Sequence, residues 1–261
     1  MWEYSKVNIK YILNIYMKQD YSKDRIEKVK NEYYKLLGIN PNRKDDGNWG
    51  EEILVRGDLV QEIKELRDKY CKMEKGTDMC KKVEVGGKLE LIDDSNRKSL
   101  VRIQKMLTGN GDTINLGENK NKDILFHTHP NAYGTWNKLS PPSEFDLFHS
   151  IRLGIEGKNQ VNLVWDKHGV YIYYLYPSFV DELKGKLLDE RAVERLIEIL
   201  RYTKMGWGFY YKNKDYPTQY SSFSSYRNLL KEMGFYVDYK KFSNNKSEGN
   251  LIGDIIFIKP K

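Results

Sequence analysis

The sequence predicts an α/β (α+β) fold: a mixed β-sheet flanked by helices, with an N-terminal helical segment and a C-terminal α/β extension. Three features predict it. Residues 51–73 set Val55, Leu59, Ile63, Leu66 and Tyr70 on one stripe at helical spacing. Residues 82–92, 99–107 and 124–126 are strand-length apolar or alternating runs between breaker-rich stretches. Residues 160–165 and 169–175 are two further strand runs, joined as a hairpin by Asp166-Lys167-His168. A helix, strands, a second helix and a closing hairpin give helices packed on a sheet.

Taken in order, residues 6–17 carry Val7, Tyr11, Ile12, Ile15 and Tyr16 at helical spacing, with Ile9 and Leu13 off the stripe. Ser22 caps a second helix holding Ile26, Val29, Tyr33, Leu36 and Leu37, and Gly38 stops it. Residues 40–48 are polar and breaker-rich, a linker. This divides the chain into an N-terminal helical segment (1–47), a central domain (48–180) and the extension (181–261). In the central domain the helix over 51–73 covers one face of the sheet. The strand over 82–92 contains Gly86 and Gly87, which weaken a strand unless a backbone or ligand approaches closely. Residues 99–107 form the next strand and residues 109–112 a turn. Residues 143–153 form a helix with Leu147, Ile151 and Phe148 turned inward.

In the extension, residues 183–202 read as one or two helices with Val193, Leu196, Ile197 and Leu200 on the apolar face. Residues 205–212 read as a strand. Ser222 or Ser224 caps a helix that carries Tyr226, Leu229, Leu230 and Met233 and closes at Gly234. Residues 235–242 and 251–259 alternate as strands.

Composition bounds the function. The chain has 261 residues, 39% hydrophobic, with 20 Tyr and 5 Trp, enough to build a packed core. No apolar run approaches ~18 residues, so no membrane span is expected. The first residues, Met1-Trp2-Glu3-Tyr4-Ser5-Lys6, lack a secretory pattern. Cys71 and Cys80 make no disulfide framework and suit a reducing, cytoplasmic setting. The net charge of +7 resides in the two flanks, while residues 51–180 are neutral. A lysine-rich solvated surface accounts for that excess. No phosphate-binding loop, CxxC pair or nucleic-acid signature is present, which argues against a nucleic-acid partner.

The chemistry gathers between residues 124 and 146. His127 and His129 follow the apolar run Ile124-Leu125-Phe126, and residues two apart on a strand share a face. Pro130 ends the ladder because it has no N–H to donate. Ser143 and Asp146, three apart at a helix start, also share a face. Two imidazoles and one carboxylate make three protein ligands, the number of a catalytic zinc site whose fourth position is left for water.

His127-Thr128-His129-Pro130 followed by Ser143-Glu144-Phe145-Asp146 resembles the H-x-H-P…S-x-x-D core of the JAMM/MPN+ zinc metalloproteases. That family also uses a glutamate at the start of an upstream strand, in an E-x-x-G-x-L context. Glu84-Val85-Gly86-Gly87-Lys88-Leu89 fits this, 43 residues before His127. The resemblance covers roughly residues 51–177. It implies a JAMM/MPN-like fold with Zn2+ on His127, His129 and Asp146. It further implies Glu84 as the general base and Ser143 as a donor to the developing oxyanion. The implied reaction is amide hydrolysis, with conjugates of ubiquitin or a ubiquitin-like protein as the substrate and partner.

Other readings of single residues stay open. Glu90 shares a strand face with Glu84, and only the glycine context favours the latter. Ser143 also serves as a plain N-cap. His149, three beyond Asp146, is a surface or supporting residue or a substitute ligand. His168 falls in the hairpin turn.

One departure from the family is the spacing of 17 between His129 and Asp146, several residues longer than usual. The excess falls in residues 131–140, which include Tyr133 and Trp136. Proteins of large DNA viruses have similarly extended loops, which implies a viral, host-cytoplasmic setting. A blocked groove would instead make the chain a non-catalytic scaffold of the same fold. A nuclease or phosphoesterase would need further metal ligands near the motif.

Overall fold

The structure is a computed structural model and describes residues 23–41, 50–70, 72–73, 80–81, 83–94, 97–109, 123–129, 141–166, 169–212, 219–242, 244–245 and 251–259. The expected helix over 6–17, the Ser22 cap, most of the linker over 40–48, Cys71, Pro130, the loop 131–140 and His168 lie outside them.

The fold is mixed α/β, as the sequence predicts. Six helices are described: α1 (Lys23–Leu37), α2 (Gly57–Tyr70), α3 (Glu144–Ile155), α4 (Pro177–Leu183), α5 (Glu190–Lys212) and α6 (Gln219–Glu232). Eight strands form one mixed sheet: β1 (Glu51–Val55), β4 (Val85–Asp94), β5 (Arg97–Thr108), β6 (Ile124–Thr128), β7 (Val161–Trp165), β8 (Gly169–Leu175), β9 (Phe235–Lys241) and β12 (Ile255–Lys259). Their order across the sheet is β12-β1-β5-β4-β6-β7-β8-β9. Two short ribbons lie apart from it, β2 (Lys72–Met73) with β3 (Cys80–Lys81), and β10 (Asn244–Asn245) with β11 (Leu251–Ile252).

Each sheet face is covered. Helix α2 buries Leu59, Val60 and Ile63 against Ile53, Phe126, Trp165 and Phe257. The opposite face packs on the other helices, where Val164, Tyr171, Tyr173 and Phe235 meet Tyr33, Leu147, Ile151, Phe179, Leu196 and Leu230. Burial on both faces explains why, apart from Asn162, β7 and β8 read as apolar runs rather than alternating ones.

Residues 181–261 complete the sheet at both edges, because β9 pairs with β8 and β12 pairs with β1. Helix α1 belongs to the same core as α5 and α6. The Tyr33 hydroxyl donates to the Met233 carbonyl at 2.9 Å, and Arg195 grips both carboxylate oxygens of Glu32 at 2.5 and 2.8 Å. Residues 181–261 thus share the sheet of the central segment, and α1 joins the core on one of its faces.

Several elements differ from the sequence reading. Residues 51–55 are strand β1, and the helix begins only at Gly57. Val55 and Leu59 are four apart, so a strand end merges into the helical stripe when read by period alone. Residues 205–212 continue α5 rather than forming a strand, since extending a formed helix is easier than nucleating a new element. Ser222 and Ser224 lie inside α6, which starts at Gln219. Residues 251–259 divide into β11 and β12. Gly38 and Gly234 do end α1 and α6, with φ of 60° and 95°.

Gly87 answers the question its pattern raised. A β-carbon there would lie 1.7 Å from the Lys105 carbonyl oxygen, beside irregularities in the β4–β5 ladder. Gly87→Ala must push β5 away, so it is expected to cost at least the ~1–3 kcal/mol typical of overpacking. Urea unfolding checks this, and an unchanged midpoint would rule out the close approach.

Candidate metal centre

Strand β6 runs between β4 and β7, antiparallel to the first and parallel to the second. Phe126 belongs to the α2-side core, so alternation turns His127 to the opposite face. Its ladder partner Val164 packs there with Leu147 and Ile151 of α3. His129 is two residues on, just past the strand end, and its N–H donates to the Trp165 carbonyl at 2.8 Å. The two imidazoles thus emerge side by side, with Nε2 atoms 3.1 Å apart.

Helix α3 brings the carboxylate to them. Ser143 is its N-cap and closes a capping box with Asp146. The Asp146 N–H donates to Ser143 Oγ at 3.1 Å, and the Ser143 N–H donates to Asp146 Oδ2 at 2.6 Å. Held this way, Asp146 sets Oδ1 3.4 Å from His127 Nε2 and Oδ2 3.4 Å from His129 Nε2. Side-chain exposures are 12%, 9% and 21% for His127, His129 and Asp146, so the cluster is nearly buried but reachable. One donor atom from each of the three lies within 4.8 Å of the others. Among the described residues this is the single grouping of at least three His, Cys, Asp or Glu side chains able to hold a metal ion.

The electrostatics fit a cation. Burial favours the neutral form of His127, but the Asp146 charge, its hydrogen bond and the Glu84 charge outweigh it and raise the imidazole pKa above the usual value. Burial likewise pushes the Asp146 carboxyl up, and the two imidazoles overcome that and hold it well below the carboxylate range. The Asp146 carboxylate thus favours positive charge at the cluster.

Glu84 precedes β4. The ladder pairs Gly86 with His127, and continuing that register brings Glu84 opposite His129 on the same face. It is half-buried, and its charge reaches both His127 and Tyr173. The Val85 N–H donates to Thr128 Oγ1 at 3.1 Å, which ties the start of β4 to the end of β6. Glu90 lies farther along the same strand and pairs with Arg102, away from the histidines. His149 lies outside the ligand triad; its Nδ1 faces Arg152 at 3.4 Å, and burial together with the Arg152 charge lowers its pKa.

Three neighbours were not evident from the sequence. Tyr173 of β8 and Tyr226 of α6 are buried beside Asp146. Burial and that carboxylate push both hydroxyls up, so they stay neutral O–H groups. Arg67 of α2 is buried and donates from Nε to the His129 carbonyl at 3.2 Å. The signal for Arg67 was its place four residues after Ile63, on the buried side of an otherwise apolar stripe. A scan against protein-family models, a search of curated proteins and a search of solved structures each return no match to this chain.

The pH dependence follows from the raised His127 pKa. A raised folded-state value adds stability that is fully present below the unfolded value of ~6.5 and is lost as pH rises through the folded one. The metal-free protein should therefore lose melting temperature as pH rises above ~6.5. A saturating divalent metal, which displaces that proton, should flatten or reverse the slope. Melting curves with chelator and with metal check this, with His127→Gln as the variant in which the metal effect disappears.

Proposed function

We propose that this chain is a zinc-dependent hydrolase of amide bonds, and that it acts as a JAMM-type isopeptidase on conjugates of ubiquitin or a ubiquitin-like protein. The observation that carries the reading is the convergence of two imidazole nitrogens and one carboxylate at separations of 3.1–3.4 Å. Four donors placed tetrahedrally at zinc's ~2.0–2.1 Å bond length stand about 3.3 Å apart. Three protein donors leave one coordination place free, the pattern of a catalytic rather than a structural zinc.

His127, His129 and Asp146 would hold the ion. Bound there, zinc supplies Lewis acidity towards a carbonyl oxygen and lowers the pKa of water from 15.7 to about 7. Glu84 takes the proton from the attacking water and returns it to the leaving amine. Ser143 Oγ already accepts the Asp146 N–H, so its own proton is available to the oxygen on which charge develops. The carbon–oxygen bond forms first and places the charge on the former carbonyl oxygen; the carbon–nitrogen bond then breaks as the amine takes the proton from Glu84. The products are a carboxylate and a free amine.

The substrate class rests on the resemblance of Glu84, the His127–Pro130 run and the Ser143–Asp146 run to the metalloprotease motif. The single triad among the described residues offers no bed for a second cation. This speaks against two-metal phosphoester chemistry.

Purified protein should hold about one zinc per chain and cleave a fluorogenic ubiquitin amide or a diubiquitin. Glu84→Gln should keep the metal and lose cleavage, and normal turnover by that variant would sink the base assignment. Ser143→Ala should lower kcat by ~10²–10³, the usual effect of removing one oxyanion donor. It should also cost about 1 kcal/mol of stability through the lost cap. A kcat within twofold of wild type would return Ser143 to a capping role alone.

A further inference from the structure

We propose that Arg67, on the far side of the sheet from the metal triad, is a positioning residue that fixes His129 as a ligand. The inference rests on the metal reading given above and concerns how that site is held in shape.

The regular backbone pairing of β6 runs out at His129. Strand β6 ends at Thr128, so His129 lies beyond the last ladder pair. Its N–H still finds the Trp165 carbonyl at 2.8 Å. The next residue is Pro130, which has no N–H with which to continue any ladder. The His129 carbonyl draws a donor from outside the sheet ladder, and a buried backbone oxygen stripped of such a donor costs free energy. Arg67 Nε supplies it at 3.2 Å, across 62 residues of sequence.

Arg67 is suited to this and costly to keep. It is 5% exposed, and burying an ion carries a penalty of several kcal/mol unless its donors are satisfied. The planar guanidinium serves two acceptors at once. Nε goes to the His129 carbonyl, and NH1 goes to Asp68 Oδ1 at 2.8 Å. Helix α2 is otherwise buried through aliphatic residues, Leu59, Val60 and Ile63. A methionine would fill the same volume without a buried charge, so packing alone does not account for an arginine.

With its N–H held from β7 and its carbonyl held from α2, His129 has both flanking peptide planes fixed. That sets the direction of its Cα–Cβ bond, and with it the 3.1 Å approach to the His127 nitrogen. The hydrogen bonds of Arg67 go to the His129 carbonyl and to Asp68 rather than to the triad side chains. Arg67 acts through the His129 backbone.

Removing a hydrogen-bonded supporting group typically weakens metal affinity 10–100-fold. Arg67→Met should therefore raise the zinc dissociation constant at least tenfold in a chelator competition. It should also shift the visible bands of the cobalt-loaded protein, which report ligand geometry. Arg67→Lys, able to reach one acceptor but not two, should fall between Met and wild type. It also decides the matter if the Met variant fails to fold. Ile63→Val, one turn earlier on the same buried side, serves as the stability control. It should lower the melting temperature and leave affinity and cobalt spectrum alone. Wild-type affinity and spectrum in a folded Arg67 variant would overturn the proposal while leaving the metal reading standing. Absence of stoichiometric metal binding by the wild-type protein would overturn both.

Discussion

The capping box at the start of α3 is the interaction on which the site depends. A helix leaves its first N–H groups without partners, and Ser143 and Asp146 answer that need reciprocally. The same bonds restrict the Asp146 carboxylate to one orientation. Oδ2 is occupied by the Ser143 N–H at 2.6 Å, and Oδ1 is left to face His127. A carboxylate on a free side chain would have to be ordered when a metal arrives. Here folding has already ordered it, so the atoms that cap the helix also present the carboxylate to the two imidazoles.

The rest of the fold delivers two histidines to that carboxylate. Strand β6 is central, flanked by β4 and β7, and its burial fixes its register. A slip of one residue would send His127 into the α2-side core. The parallel pairing with β7 matters as much, because Trp165 at the end of β7 supplies the bond that keeps His129 in line past the strand end. Glu84 arrives on the other neighbour, β4, whose start is tied to Thr128. Three adjacent strands and one helix start thus each contribute one fixed point.

Legibility in the sequence followed how local each signal was. The helix stops at Gly38 and Gly234, the hairpin around Asp166 and the Ser143 cap are set by neighbouring residues, and they read correctly. The convergence of His127, His129 and Asp146 was legible in part because period two on a strand and spacing three on a helix each place side chains without knowledge of the fold. Strand β1 was not, because Val55 continues the stripe of α2. The aromatic-rich stretch after Met205 reads as strand by composition, yet it extends α5. Arg67 was opaque for a different reason. Its meaning depends on a carbonyl 62 positions away, and on a helix surface an arginine reads as a solvated residue.

The order of strands across the sheet carries a consequence for how the molecule is made. Residues 235–241 and 255–259 supply the two outermost strands, while the triad lies between residues 127 and 146. During synthesis, the segment bearing the ligands leaves the ribosome well before its lateral neighbours exist. Until residue 241 has emerged β8 presents a bare hydrogen-bonding edge, and until residue 259 has emerged β1 does, the kind of surface that recruits other chains. Pairings this distant in sequence also form slowly. Nascent chains of this protein therefore pass through an interval in which exposed strand edges can pair with other chains.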